Sequence, residues 1–195
     1  MTAPAPLPCA AFLLLTLGLA GVAHVFWLRS PWSLPFARPL DGGLQLRGHR
    51  LFGENKMLRG LMMMPLATAV TFALFAAYRD QLPLWLTAGI WNLSVAQLAE
   101  VGFVCGLAFM LAELPNSMFK RQLDVAPGEA PASPMLRALC LLIDRCDSTL
   151  GVLIALSIML PLHPLVWFWA LLLGSGLHWM FSFWLFQLKL KRRIS

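Results

Sequence analysis

The stretch ELPNSMFKRQLDVAPGEAPASPMLRALCLLIDRCDSTLG, residues 113–151, joins the end of one apolar run to the start of the next. Glu113, Ser117 and the Lys120-Arg121 pair stand at its opening, and a polar Pro/Gly segment follows. Asp144 and Asp147 stand three apart as the chain turns apolar again. Charge at the mouths of hydrophobic segments is costly beside lipid and marks places where something charged binds. The stretch therefore reads as the floor of a site for phosphate groups and a divalent metal.

What surrounds it decides the fold class. Of 195 residues, 59% are hydrophobic and 12% charged, and the mean hydropathy is +0.72. Soluble domains run nearer about 45–50% apolar and about 25% charged. The expectation is an all-α, polytopic integral membrane protein, a single bundle of about five transmembrane helices over residues 1–195. Spans are expected at about 8–28, 60–78, 90–112, 143–160 and 164–188, each near the roughly 20 residues a bilayer requires. Leu82–Ala112 is long for one crossing; a helix over about Ile90–Ala112 after an interfacial lead-in is expected, in preference to a preceding short broken helix. Ala20-Gly21-Val22-Ala23 resembles a processing site. No Lys or Arg precedes the first run, though, and signal peptides normally open on a positive region, so a retained helix is expected.

Loops 29–59 and 113–142 carry most of the polar chemistry. With the N-terminus outside and the C-terminus cytoplasmic, loop 29–59, the 113–147 region and the tail 189–193 face the cytoplasm. They hold six, four and four of the 15 Lys/Arg residues and leave Arg79 outside, as the positive-inside rule requires. Topology thus accounts for the net charge of +6, and no nucleic-acid partner is expected. The place implied is a cytoplasmic (inner) membrane. Cys9, Cys105, Cys140 and Cys146 form no CxxC pair and read as free thiols.

On a helix, Asp144 and Asp147 are neighbours, with Cβ atoms about 5–6 Å apart. Two carboxylates that close repel, and Arg145 lies elsewhere on the wheel. A shared divalent ion is an economical answer, and Mg²⁺ combines carboxylate with phosphate oxygens. The dipole of a helix start accounts for the acids equally well. Glu113, Ser117 and Lys120/Arg121 share a helical face, although a Lys-Arg pair is also an ordinary cytoplasmic flank. Pro115 predicts a kink or unwound turn. In the first loop, Gly53-Glu54-Asn55-Lys56 and Arg59-Gly60 stand just before a helix and suit an anion; anchoring accounts for their charges but not for the glycines or Asn55. Asp41-Gly42-Gly43 is a turn, with Asp41 a further metal or substrate contact. Glu100, placed near the middle of the third span, has His178 as a candidate partner, with packing as the alternative for both; His24 reads as an interfacial or packing residue.

Two blocks together resemble a known family. Ser117-Met118-Phe119-Lys120-Arg121 and Asp144-Arg145-Cys146-Asp147 resemble the Ser-x-x-Lys-Arg and Asp-Arg-x-Asp-like elements of the CTP:phosphatidate cytidylyltransferase superfamily. The loop from Asp41-Gly42-Gly43 through Gly53-Glu54-Asn55-Lys56-Met57-Leu58-Arg59-Gly60 is similar to the Gly-Asp-Asn-Lys-Thr-Trp-Arg-Gly block of the small, five-span CDP-archaeol synthase branch. The resemblance implies a Mg²⁺-dependent transfer from CTP to a lipid phosphate, giving a CDP-activated lipid and pyrophosphate. Asp144 and Asp147 would be metal ligands; Lys120, Arg121, Lys56 and Arg59 would hold triphosphate and lipid phosphate; Ser117 and Asn55 would orient them. The chain departs from the pattern at Ala112-Glu113, where the family has Gly-Asp, and at Met57-Leu58, where it has Thr-Trp. It also lacks the Gly-rich turn that precedes the second acidic element in the phosphatidate enzymes.

Nucleophile and leaving group are both already anionic in such a transfer. No general base is needed, and charge neutralisation carries the catalysis. Two rival readings stand beside it: a catalytically silent relative acting as a membrane scaffold, and a small-solute transporter, which wants polar groups at mid-membrane. The aromatic crowding at Trp167, Phe168, Trp169, Trp179, Phe181, Phe183 and Trp184 suits lipid contact or a homodimer.

Overall fold

The computed structural model describes residues 2–187, with backbone alone at 177–178, 180–182 and 184–186. The chain is mostly helical: α1 (Pro6–Arg29), α2 (Leu58–Ala77), the one-turn α3 (Leu84–Thr87), α4 (Val95–Gln122), α5 (Pro134–Met159) and α6 (Pro164–Gln187). Among the described residues, α1, α2 and α4 are long and apolar enough to cross a membrane. Charges at Asp144, Arg145 and Asp147 interrupt the apolar run of α5.

Helix α4 is the axis of the bundle, laid against α2 on one side and α5 on the other, while α1 contacts α2 and α6. Small residues let the backbones approach, as between helices in lipid generally. A Cβ added at Gly102 would stand 2.7 Å from the Thr68 carbonyl oxygen, and one at Gly106 would stand 2.6 Å from the Pro65 Cα. On the opposite side, a Cβ at Gly151 of α5 would stand 2.5 Å from the Ala112 Cβ and 2.6 Å from the Ala108 oxygen. Away from the loops, Phe12, Phe72, Leu98 and Leu153 are fully buried, with the Phe12 and Phe72 rings edge to face at 4.8 Å. Trp91 seals that end, its indole N–H donating to the Pro161 oxygen at 3.0 Å, while Arg79 donates to the Trp91 oxygen at 2.6 Å.

The first loop is folded. Its stems zip antiparallel through Leu40 N–H to Lys56 O and Leu58 N–H to Arg38 O, both 2.8 Å. Within it, β1 (Gln45–Leu46) pairs with β2 (His49–Arg50) around Arg47-Gly48, whose φ values of 54° and 84° are those of a mirror-image two-residue turn. Asp41 organises the whole loop. Its carboxylate accepts the amides of Gly43, Phe52 and Gly53, each at 3.1 Å, and the Arg50 guanidinium. Burial alone would raise its pKa; Arg50 and the three amides outweigh that and hold it at about 2. Because the folded value lies below the unfolded one, the stabilisation is full above about pH 4 and is lost as the pH falls toward 2. Pepsin cleavage within residues 38–57 is therefore expected to rise steeply over that window. Asp41→Ala is expected to open the loop to trypsin at neutral pH, at a cost of about 1–3 kcal/mol for the orphaned donors.

Several sequence expectations need correction. The third long helix begins at Val95, not near Ile90, and runs on to Gln122; the short helical turn Leu84–Thr87 does precede it. Its start is set by a capping box: Ser94 accepts from the Gln97 amide at 3.2 Å, and Gln97 accepts from the Ser94 amide at 3.0 Å. Glu100 consequently sits in the second turn and is exposed, not mid-helix; the side chain of its proposed partner, His178, lies outside the described residues, as do those of Phe181 and Trp184 and the basic tail 189–193. Pro115 leaves α4 continuous, because α2 and α5 brace the helix on two sides and one missing N–H does not break it. The second loop is reduced to residues 123–133. Helix α5 starts at Pro134 instead of near Ile143, with Ser133 before a proline at the first helical position, where its fixed φ and absent N–H suit a helix start.

Candidate functional site at the α4–α5 interface

The early start of α5 changes the meaning of its acids. Asp144 and Asp147 lie about three turns inside the helix, beyond the first turn where the dipole favours carboxylates. Something else must account for them.

Three rungs connect α4 to α5, one helical turn apart. Glu113 accepts the Ser148 hydroxyl proton at 2.9 Å. Asn116 Nδ2 donates to Asp144 Oδ1 at 2.6 Å and to Asp147 Oδ2 at 3.0 Å. Lys120 ion-pairs with Asp144. Residues 113, 116 and 120 line one face of α4, and 144, 147 and 148 face them from α5. The close approach that Gly151 permits, one turn beyond Ser148, holds the two faces at hydrogen-bonding distance. From the first loop, Lys56 reaches across to pair with Glu113. One connected polar cluster thus runs from Lys56 to Lys120.

Its charges do not balance. Glu113 has Lys56 and Asp144 has Lys120, whereas Asp147 has no Lys or Arg partner among the described residues; it accepts from Asn116 and from the Ser148 amide at 2.7 Å. Oxygens of Asp144 and Asp147 converge on a single atom, Asn116 Nδ2, while the Oδ1 of this buried asparagine has no hydrogen-bond partner. Turned over about its last torsion, the amide would bring Oδ1 to the same point. That donor set is hard oxygen throughout, the kind magnesium takes. No trio of His, Cys, Asp or Glu converges among the described residues, so such an ion would complete its shell with water or substrate phosphate, its usual habit.

Two cavities lie beside the first loop, and the first of them adjoins the cluster at Lys56 and Glu113. One, of about 410 Å³, is bounded by α1, α2, α4 and the first loop and includes Asn55, Lys56, Arg59 and Glu113. The other, of about 490 Å³, lies between the β1–β2 hairpin and residues 121–127 and includes His49, Arg50, Arg121 and Asp124. His49 and Asp124 meet across it at 2.9 Å. Gly53, at φ 89°, lets the loop run against Arg121: a Cβ there would stand 3.2 Å from the guanidinium Nε and in a conformation unfavourable to any other residue.

Of the residues singled out in the sequence, the structure brings together Lys56, Glu113, Lys120, Asp144 and Asp147, with Asn55 and Arg59 in the adjoining cavity. It does not bring Asp41, whose oxygens are taken up by its own loop. Ser117 turns back on α4, its hydroxyl donating to the Glu113 carbonyl at 2.9 Å, and Arg121 turns to the Val125 carbonyl beside the hairpin. Asn116 and Ser148 were missed, although helical spacing from Glu113, Lys120 and Asp144 places both on the charged faces.

No family model matches the chain, and no curated protein is similar to it in sequence. A solved structure described as an intramembrane enzyme for archaeal membrane lipids biosynthesis is similar in fold, with a TM-score of 0.62 over 89% of this chain and 92% of that one, at 23% identity. The fold of the bundle, with its helices apolar enough to span a membrane, is therefore one an intramembrane enzyme uses.

Proposed function

We propose that this chain is a CTP-dependent cytidylyltransferase of the cytoplasmic membrane that makes a CDP-activated lipid and pyrophosphate from CTP and a membrane lipid phosphate. One observation carries the reading: the acids of α4 and α5, a lysine of the first loop and a lysine of the last turn of α4 meet in one cluster, Lys56–Glu113–Ser148–Asp147–Asn116–Asp144–Lys120. The resemblance of residues 38–60 and 113–151 to the cytidylyltransferase blocks supports it, and so does the fold shared with an enzyme of membrane lipid synthesis. Five spans with the N-terminus outside put the cluster and both cavities at the cytoplasmic surface, where CTP is available and the lipid enters from the leaflet.

In the reaction, an oxygen of the lipid phosphate attacks the α-phosphorus of CTP, and the bond from that phosphorus to its β-bridging oxygen breaks. Pyrophosphate leaves with the electron pair. Asp144 and Asp147 are the residues that would hold Mg²⁺, which supplies positive charge to the phosphate oxygens. Lys120 and Lys56 are held in place by Asp144 and Glu113, so their ammonium groups are positioned before substrate arrives and share the charge that develops on the phosphates. Arg59 and Asn55 bind the phosphate entering the smaller cavity. Arg121, on the rim of the larger one, faces the polyphosphate.

A scaffold without catalysis is favoured by a single feature, the engagement of both Glu113 and Asp144 by lysines. Transport finds less support, since Glu100 is exposed near one helix end. The test uses the purified chain in detergent with labelled CTP, Mg²⁺ and a panel of lipid phosphates. Equal amounts of CDP-lipid and pyrophosphate are expected. Failure with every lipid phosphate would favour the scaffold, and uptake into vesicles without CTP turnover would favour transport.

A further inference from the structure

The smaller cavity holds a residue that neither sequence motif includes. His24, in the last two turns of α1, projects into it, and its Nε2 is buried with no hydrogen-bond partner. The ring abuts the first turn of α2, where a Cβ at Gly60 would stand 3.4 Å from that nitrogen. Beside it is Arg59, whose Nε is also buried and unpartnered and whose only side-chain hydrogen bond among the described residues is a long one, 3.5 Å, to Ser33. No carboxylate lies within ion-pair distance of Arg59 among the described residues, and the neighbouring Lys56 is neutralised by Glu113. The cavity therefore has an uncompensated guanidinium and an idle imidazole nitrogen. Much of the rest of its wall is apolar: Leu28, Leu40, Met110 and Leu114.

A cation left in a mostly apolar recess beside lipid calls for an anion. The same wall repels a ligand that is polar throughout, such as a nucleotide triphosphate. We propose that this cavity binds the phosphate monoester head of a lipid, and that His24 is its recognition residue from α1, donating a hydrogen bond to a phosphate oxygen beside Arg59. The proposal deepens the transferase reading and rests on it for the identity of the acceptor side. It divides the site: lipid phosphate in the cavity of α1, α2 and α4, nucleotide toward Lys120 and the hairpin. It also gives α1 a chemical task in addition to its packing.

The experiment measures binding of dihexanoyl phosphatidic acid to the full chain in detergent without CTP, by thermal stabilisation and by titration, with dihexanoyl phosphatidylcholine and inorganic phosphate as comparisons. His24→Leu is expected to weaken phosphatidic acid binding about tenfold, the usual effect of losing a hydrogen bond to a charged group. His24→Gln, which keeps a donor at nearly the same reach, is expected to stay within about threefold by the same scale. In turnover assays the change is expected in KM for the lipid and not in KM for CTP. Should His24→Leu fail to purify, Arg59→Gln provides the same contrast, with a loss of at least about tenfold. Unchanged phosphatidic acid binding in His24→Leu, or in Arg59→Gln where that variant stands in for it, overturns the proposal, as does protection by inorganic phosphate equal to that by the lipid. If phosphatidic acid binds in a His24-dependent way but no CDP-lipid forms, the transferase reading fails and the lipid-phosphate cavity stands.

Discussion

Asp147→Asn is expected to reduce CDP-lipid formation by about 10³-fold, the several kcal/mol that a bound divalent ion supplies to a phosphoryl transition state, while leaving the melting temperature in detergent unchanged or slightly raised. The two halves of this result come from the same geometry. Glu113 and Asp144 each have a lysine, so neutralising either one strands a cation; Asp147 has none among the described residues. Removing its charge relieves repulsion with Asp144, which offsets the one contact, with Asn116 or with Ser148, that the single oxygen of an amide cannot keep. Loss of turnover without loss of stability therefore marks a carboxylate kept for a ligand. Asp144→Asn provides the contrast: it should lose activity and also stability, because Lys120 is then left unpaired. Wild-type turnover in Asp147→Asn, measured as pyrophosphate release at saturating CTP and Mg²⁺, would remove Asp147 from the chemistry.

The second large effect is expected at Gly151. Replacing it with Val forces a side chain into space already filled by the Ala112 Cβ at 2.5 Å and the Ala108 oxygen at 2.6 Å. Helix α5 must then move away from α4. Overpacking of this kind costs about 1–3 kcal/mol, which corresponds to a drop of roughly 5 °C in melting temperature for a chain of this size. The displacement also opens the rungs at Ser148 and Asn116, and a shift of about 1 Å in a phosphoryl-transfer site is expected to lower turnover by about 10²-fold. Gly176→Ala is the control, since a Cβ there meets nothing within 4 Å; it should melt and react like the parent. Equal behaviour of the two variants in melting and turnover assays would show that the α4–α5 spacing does not position the site.

Much of this architecture was legible in the chain. Apolar runs separated by loops rich in Lys and Arg are a direct record of which segments can lie in lipid, because each charge left in hydrocarbon costs several kcal/mol. The charged residues worth attention were legible as a group: Lys56, Glu113, Lys120, Asp144 and Asp147 all stand at the ends of apolar runs, although anchoring and the helix dipole account for several of them one by one. Two helix starts were also written in the sequence, as Ser94 with Gln97 and as Ser133-Pro134, but hydrophobicity alone placed the first about five residues too early and the second about nine too late. Capping chemistry is local and outweighs a change in hydropathy when it sets the first turn.

Composition, charge patterning and helical period determined that the chain is mostly helical, with most of its bases outside the apolar runs and two acids on one face of a helix. Tertiary structure alone decided which groups meet. Asn116 was an unremarkable polar residue until α5 brought two carboxylates to it, and Ser117, one position on, was turned back to its own backbone. Asp41 was claimed by its loop and His24 by a cavity, outcomes that depend on contacts between residues far apart in the chain. The physical reason is that hydropathy and periodicity are sums over neighbours along one strand of sequence, whereas a polar group's role depends on the partner left to it once helices have closed to the distance their glycines allow.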